Sequence, residues 1–147
     1  MLRTSLFRNV ALLLLAGMFQ IAAADERPYT EGNVVQVAAI RTEYGRFDDY
    51  MKFLDTSYKQ MMEASKKAGL ILSYEVLEVE PRGPDDPDIY LVTTFKNWAA
   101  LDGLAPKMDA LESQVYGSLA KSNAAAVDRS KIRRSLGSQT MQVLNLK

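Results

Sequence analysis

Between Phe47 and Ala68 the apolar residues recur every third or fourth position, whereas the stretches on either side are spaced as strands are. That change of period does most to limit the fold. Phe47, Tyr50, Met51, Leu54, Tyr58, Met61, Met62 and Ser65 form one stripe, with Asp48, Lys52, Asp55, Lys59, Glu63 and Lys66 mostly opposite. The segment therefore predicts an amphipathic helix. Lys66 and Lys67 precede Gly69, placing cations where the helix dipole favours them and a glycine where the helix should stop. Before the helix, VVQVAAIR (34–41) reads as a valine-rich strand. After it, LILSYEVLEVE (70–80) and IYLVTTFK (89–96) read as a second and a third strand. Between these two, PRGPDDPD cannot continue a ladder and is the connector of an antiparallel pair.

The remaining third of the chain reads as helix and then strand. Asn97 suits the cap of a second helical region starting at Trp98, which Gly103 and Pro106 interrupt. Met108, Leu111, Val115 and Leu119 recur at helical spacing, and the helical stretch is expected to reach Ser135. Gly137 stops it, leaving Ser138 to Leu146 as the last strand. The order β-α-β-β-α-β is the ferredoxin-like arrangement of the α+β class. It implies a four-stranded antiparallel sheet with both helices on one face.

The first residues have the three zones of a secretory signal. Arg3 and Arg8 are positive, Val10 to Ala16 is an apolar run, and Ala22-Ala23-Ala24 offers the small residues of a cleavage site. Val10 to Ala24 spans 15 residues, short of the roughly 20 that a membrane-spanning helix needs. Residues 1–24 are therefore expected to be a cleaved signal peptide, residues 25–33 an extended arm, and residues 34–147 the folded domain. The product is expected in the periplasm or outside a bacterial cell, with no membrane association after cleavage.

The absence of histidine and cysteine limits the chemistry. It removes the Ser-His-Asp and Cys-His nucleophile systems, histidine-ligated haem and the usual zinc sites. No cofactor and no metal are expected. Arg3 and Arg8 account for two of the 18 basic residues and the signal holds none of the 18 acidic ones, leaving 16 against 18, a charge of −2. A nucleic-acid partner would call for a basic excess, so none is expected.

The strands are apolar on both faces. In the first, Val35, Val37 and Ala39 oppose Val34, Ala38 and Ile40; in the third, Ile89, Leu91 and Phe95 oppose Tyr90 and Val92. An antiparallel sheet with one wet face should alternate more cleanly. Leaving about eight such side chains in water forgoes on the order of 10 kcal/mol. The chain has no spare element for the second face, so a homodimer packed through its sheet faces is expected.

EYGRFDDYMKFL after the first strand and FKNWAALD after the third resemble the helix starts of the dimeric α+β barrel superfamily. Tyr44 stands in place of its usual proline before the turn glycine. The likeness covers nearly all of residues 33–147, and the chain is similar to uncharacterised exported bacterial proteins of that fold. The superfamily includes cofactor-independent monooxygenases and haem-degrading enzymes, so the resemblance implies a fold more than a reaction.

Candidate ligand-binding residues follow from chemistry and from that resemblance. The resemblance places Trp98, beside Asn97, near a cavity between sheet and helices, as in some monooxygenases. Helix cap and core aromatic is the plainer role for the pair. Tyr50, Tyr58, Tyr74 and Tyr90 have the apolar rings and polar tips to hold a small apolar or aromatic ligand, or else to serve an interface. Arg41 ends the first strand, where pairing with a carboxylate is expected over binding an anionic ligand. Asp85, Asp86 and Asp88 lack the spacing of a calcium loop and suit a solvated hairpin tip. Arg129, Lys131, Arg133 and Arg134 read as a solvated helix end. No catalytic residue can be named. The expected function is an exported small-molecule-binding or interaction domain; the alternative is a cofactor-independent monooxygenase or isomerase of an aromatic or polyketide-like compound.

Overall fold

A computed structural model describes residues 27–147; the expected signal peptide lies outside them. Four strands form one sheet: β1 (Tyr29–Thr42), β2 (Ser73–Glu78), β3 (Ile89–Phe95) and β4 (Arg133–Leu146). The spatial order is β2-β3-β1-β4, and every neighbouring pair is antiparallel. That is the order the β-α-β-β-α-β reading implies, and the fold is ferredoxin-like α+β.

The first helical segment is α1 (Phe47–Phe53), a π turn (Leu54–Tyr58) and α2 (Lys59–Lys67) in unbroken succession. In the π turn the Lys59 amide donates to the Leu54 carbonyl, five residues back. Tyr50, Leu54, Met61 and Ser65 are its buried residues, all from the expected stripe. Gly69 closes the helix with φ +71, its amide donating to Lys66 O and that of Leu70 to Ser65 O, both at 3.0 Å. This cap is why β2 starts at Ser73 rather than Leu70: Leu70 and Ile71 both turn into the core, which strand alternation would forbid.

Two other boundaries differ from expectation. β1 starts at Tyr29, so the expected arm contributes its last five residues to a strand, where Tyr29 pairs with Leu146 and Glu31 with Leu144. β4 starts at Arg133, five residues before Ser138, because a bulge at Leu136 and Gly137 shifts its register. The second helical region divides into a 3-10 turn (Trp98–Leu101), α3 (Leu104–Tyr116) and α4 (Leu119–Arg129). Asn97 caps the 3-10 turn, its Oδ1 accepting from Ala100 N at 3.1 Å. Ser118 caps α4 in the same way, through Lys121 N at 3.2 Å.

The core forms two clusters on the helix side of the sheet. One centres on Ile40, Tyr50, Leu54 and Ile89. The other centres on Val34, Ile71 and Phe95. The opposite face carries Val35, Val37, Tyr90, Val92, Leu77 and Met141, of which Leu77 and Met141 are well exposed.

Candidate functional site

Strand alternation places Gln36 and Ala38 of β1 between the two buried ends Val34 and Ile40, on the same face. Register then sets Thr93 opposite Gln36 on one side and Thr140 on the other, with Tyr74 opposite Thr93. Tyr74, Thr93, Gln36 and Thr140 thus form a polar row across all four strands, between the apolar clusters. Above it stands Tyr58, the last residue of the π turn, its ring meeting Tyr74 edge-on at 5.9 Å.

The Tyr58 hydroxyl is shut off from solvent and has no hydrogen-bond partner among the described residues. Burial pushes its pKa up to about 12, with smaller upward contributions from Tyr50 and Tyr74. Thr93 is near enough to oppose that shift, yet no bond of acceptable geometry reaches the hydroxyl. At neutral pH the group is therefore a buried donor, not a base. Beside it, Met51, Leu54, Tyr58, Tyr74 and Val76 line a groove of about 190 Å³ between the helix and β2, with Asp55 and Lys59 at its rim. Asp55 and Lys59 are paired at 3.0 Å.

From this row, polar residues continue toward the Thr42 end along β4, through Ser138 and Ser135 to Arg133. Arg133 opens β4 opposite Thr42, on the helix face. Arg129, the last residue of α4, lies over the Phe53 ring at 4.8 Å, and Phe53 stacks on Tyr50 at 5.7 Å. Burial raises the Tyr50 pKa, while the positive charges of Arg133 and Arg129 hold it back. Along β4 the helices leave Ser135, Ser138 and Thr140 exposed, so this side of the inter-layer space is open.

The candidates named from sequence fall into separate places. Tyr50, Tyr58 and Tyr74 come together on the helix face. Tyr90 lies on the opposite face, with Val37, Ala39, Leu136 and Met141, in a concavity of about 560 Å³. Asn97 serves as a cap, and Trp98 is 47% exposed with its Nε1 donating to Gln142 Oε1 at 3.1 Å. Gln142 pairs with Val34 whereas Arg133 pairs with Thr42, so Trp98 stands roughly 26 Å along the sheet from Arg133. Arg41, expected to pair with a carboxylate, makes no ion pair within 4 Å among the described residues and leaves Nη1 buried without a partner. The neighbouring acid, Asp88, accepts instead from the amide and hydroxyl of Thr42. Asp86 accepts from Arg82 N and Asp85 reaches Arg134, so the three aspartates serve the hairpin loop and its flank.

Thr93 and Gln36 were absent from the sequence candidates, and Arg129 and Arg133 figured there only as part of a solvated helix end, whereas both are half-buried. The arginines sit in a basic run that resembles a solvated helix end, and the bulge hides the parity that turns Arg133 inward. Gln36 alone carried a signal, as a polar residue on the otherwise apolar inner face of β1.

No family model matches the chain. No curated protein matches it. Among solved structures it is similar to the crystal structure of protein SO0527 from Shewanella oneidensis, at 16% identity and a TM-score of 0.49, over 80% of this chain and 96% of that one. The fold assignment rests on the strand order and register given above.

Proposed function

We propose that the chain is an exported homodimeric domain that binds a small apolar or aromatic molecule between its helices and its sheet. One observation carries this reading: the Tyr58 hydroxyl is buried, protonated and without a partner in the polar gap between two apolar clusters. Burying such a donor costs about 1–3 kcal/mol, which a ligand oxygen placed against it recovers. The adjoining groove of about 190 Å³ compares with the roughly 150 Å³ of a cavity that takes up benzene. Apolar walls with a few convergent polar atoms are the usual make-up of a small-molecule site.

The homodimer is supported by the second face of the sheet, where Val35, Val37, Val92, Leu77 and Met141 have no helix over them among the described residues. Export is supported by the charged, apolar and small-residue zones of residues 1–24. A monooxygenase or isomerase has less behind it. Asn97 and Trp98 are engaged as a cap and with Gln142, and a tyrosine held near 12 is a poor base at neutral pH.

Native mass spectrometry of the protein taken from its own host tests these points together. The expected species is a dimer of chains beginning near Asp25 that retains a small-molecule adduct. Bare monomers of the full-length chain would overturn the reading.

A further inference from the structure

The basic run after α4 divides into two outward and two inward charges. Lys131 pairs with Asp128 at 2.8 Å, and Arg134 reaches Glu43 at 3.4 Å and Asp85 at 3.8 Å, all at the surface. Arg129 and Arg133 make no ion pair within 4 Å among the described residues. Each instead hides a nitrogen from solvent with no hydrogen-bond partner: Nη1 of Arg129 and Nε of Arg133. The neighbouring carboxylate, Asp88, is already taken by Thr42. Two half-buried guanidinium groups with no carboxylate within 4 Å among the described residues are unfavourable in a protein interior. Their planar forks match a carboxylate, which can accept two parallel N–H bonds. The surroundings are apolar and aromatic: Phe53 under Arg129, Tyr50 stacked on Phe53, and Ile132 packed on the same cluster.

We propose that Arg129 and Arg133 form an anion site at the Thr42 end of the helix face, and that the ligand is an amphipathic monocarboxylate whose apolar body lies against Phe53 and the uncovered helix face of β4. This rests on the small-molecule reading above and gives the ligand its charge. From this site the uncovered helix face of β4, with Ser135, Ser138 and Thr140 exposed, runs toward the polar row, so a flexible or elongated body suits it.

Octanoate and 1-octanol share an eight-carbon chain and differ in the head group, which makes them the probes. The side-chain Nε–H signals of Arg129 and Arg133 are followed by ¹H–¹⁵N NMR of the intact protein, assigned through bonds, and affinities are taken by calorimetry. Octanoate is expected to shift both signals saturably and to bind about tenfold or more tightly than 1-octanol, the gain of a charge-assisted pair of bonds. Arg133→Gln and Arg129→Gln should each remove most of that preference and leave 1-octanol binding unchanged. Equal affinities, or octanoate binding that moves neither signal, overturn the anion site while leaving the binding reading in place. If octanoate moves both signals no more than acetate does and 1-octanol binds nowhere, the anion site stands without the apolar body, and the proposed small-molecule function fails instead. A preference that survives both glutamine variants also overturns the anion site.

Discussion

Tyr58 is held with its ring against Tyr74 and its hydroxyl in a place that satisfies no donor, and the consequences are measurable without any ligand. Removing the oxygen removes an unpaid desolvation, so Tyr58→Phe should leave stability at pH 7 unchanged or raise it by up to about 1 kcal/mol. Urea unfolding reads this directly, and a loss larger than that would mean the hydroxyl has a partner. The pH dependence has a definite sign. In the unfolded chain tyrosine ionises near 10.0, whereas folded Tyr58 holds its proton to about 12. Above pH 10 the unfolded state releases protons that the folded state keeps, so stability declines until pH passes about 12. Tyr50, also raised by burial, adds to the decline. The urea midpoint should therefore fall between pH 10 and 12, and less steeply in Tyr58→Phe; a wild-type midpoint level across that window contradicts the burial of these rings. The tyrosines were legible in the sequence because they lie on the helix stripe. The hydroxyl's isolation was not, since it depends on Thr93, 35 residues farther along.

At the scale of elements, what could be read depended on whether one period ran uninterrupted. The stripe from Phe47 to Ser65 survives the π turn, because a single wide turn leaves Tyr50, Leu54, Met61 and Ser65 all buried. β3 was legible to within a residue, bounded by the proline-rich connector and by Asn97. β4 was not. Residues 133–137 hold two arginines, two small residues and one leucine, and the bulge breaks the alternation that would mark them as strand. Gly137 makes that bulge with φ +115, a conformation open to glycine and strained for other residues. Gly137→Val should destabilise the fold by about 1–3 kcal/mol in urea. If β4 instead slips by one residue to relieve the strain, Arg133 turns to the other face. The Arg133 Nε–H signal of the variant would then exchange with water as a free side chain does. An unstrained, fully stable Gly137→Val protein would contradict the bulge.

Among the described residues, the sheet has helices packed on one face and none on the other. Val92 lies at the centre of the second face, opposite Val37 and Glu75. In a face-to-face homodimer, Val92→Asp buries a charge against its symmetry mate and should weaken association by roughly a hundredfold or more. Sedimentation velocity at micromolar concentration would show the variant as a folded monomer; a wild-type protein already monomeric there excludes the pairing. The apolar character of both strand faces was legible, but where the polar row crosses the sheet was not, because it depends on register among distant segments. That register also fixes an order of events. β1 is an interior strand, and one of its two partners is β4, far along the chain, so that Tyr29 meets Leu146 and the Lys147 amide donates to Pro28 O at 3.1 Å. β1 therefore waits, half-paired, until β4 has been made and can reach it. The sheet of a chain built this way closes late, once residues 133–146 have left the ribosome.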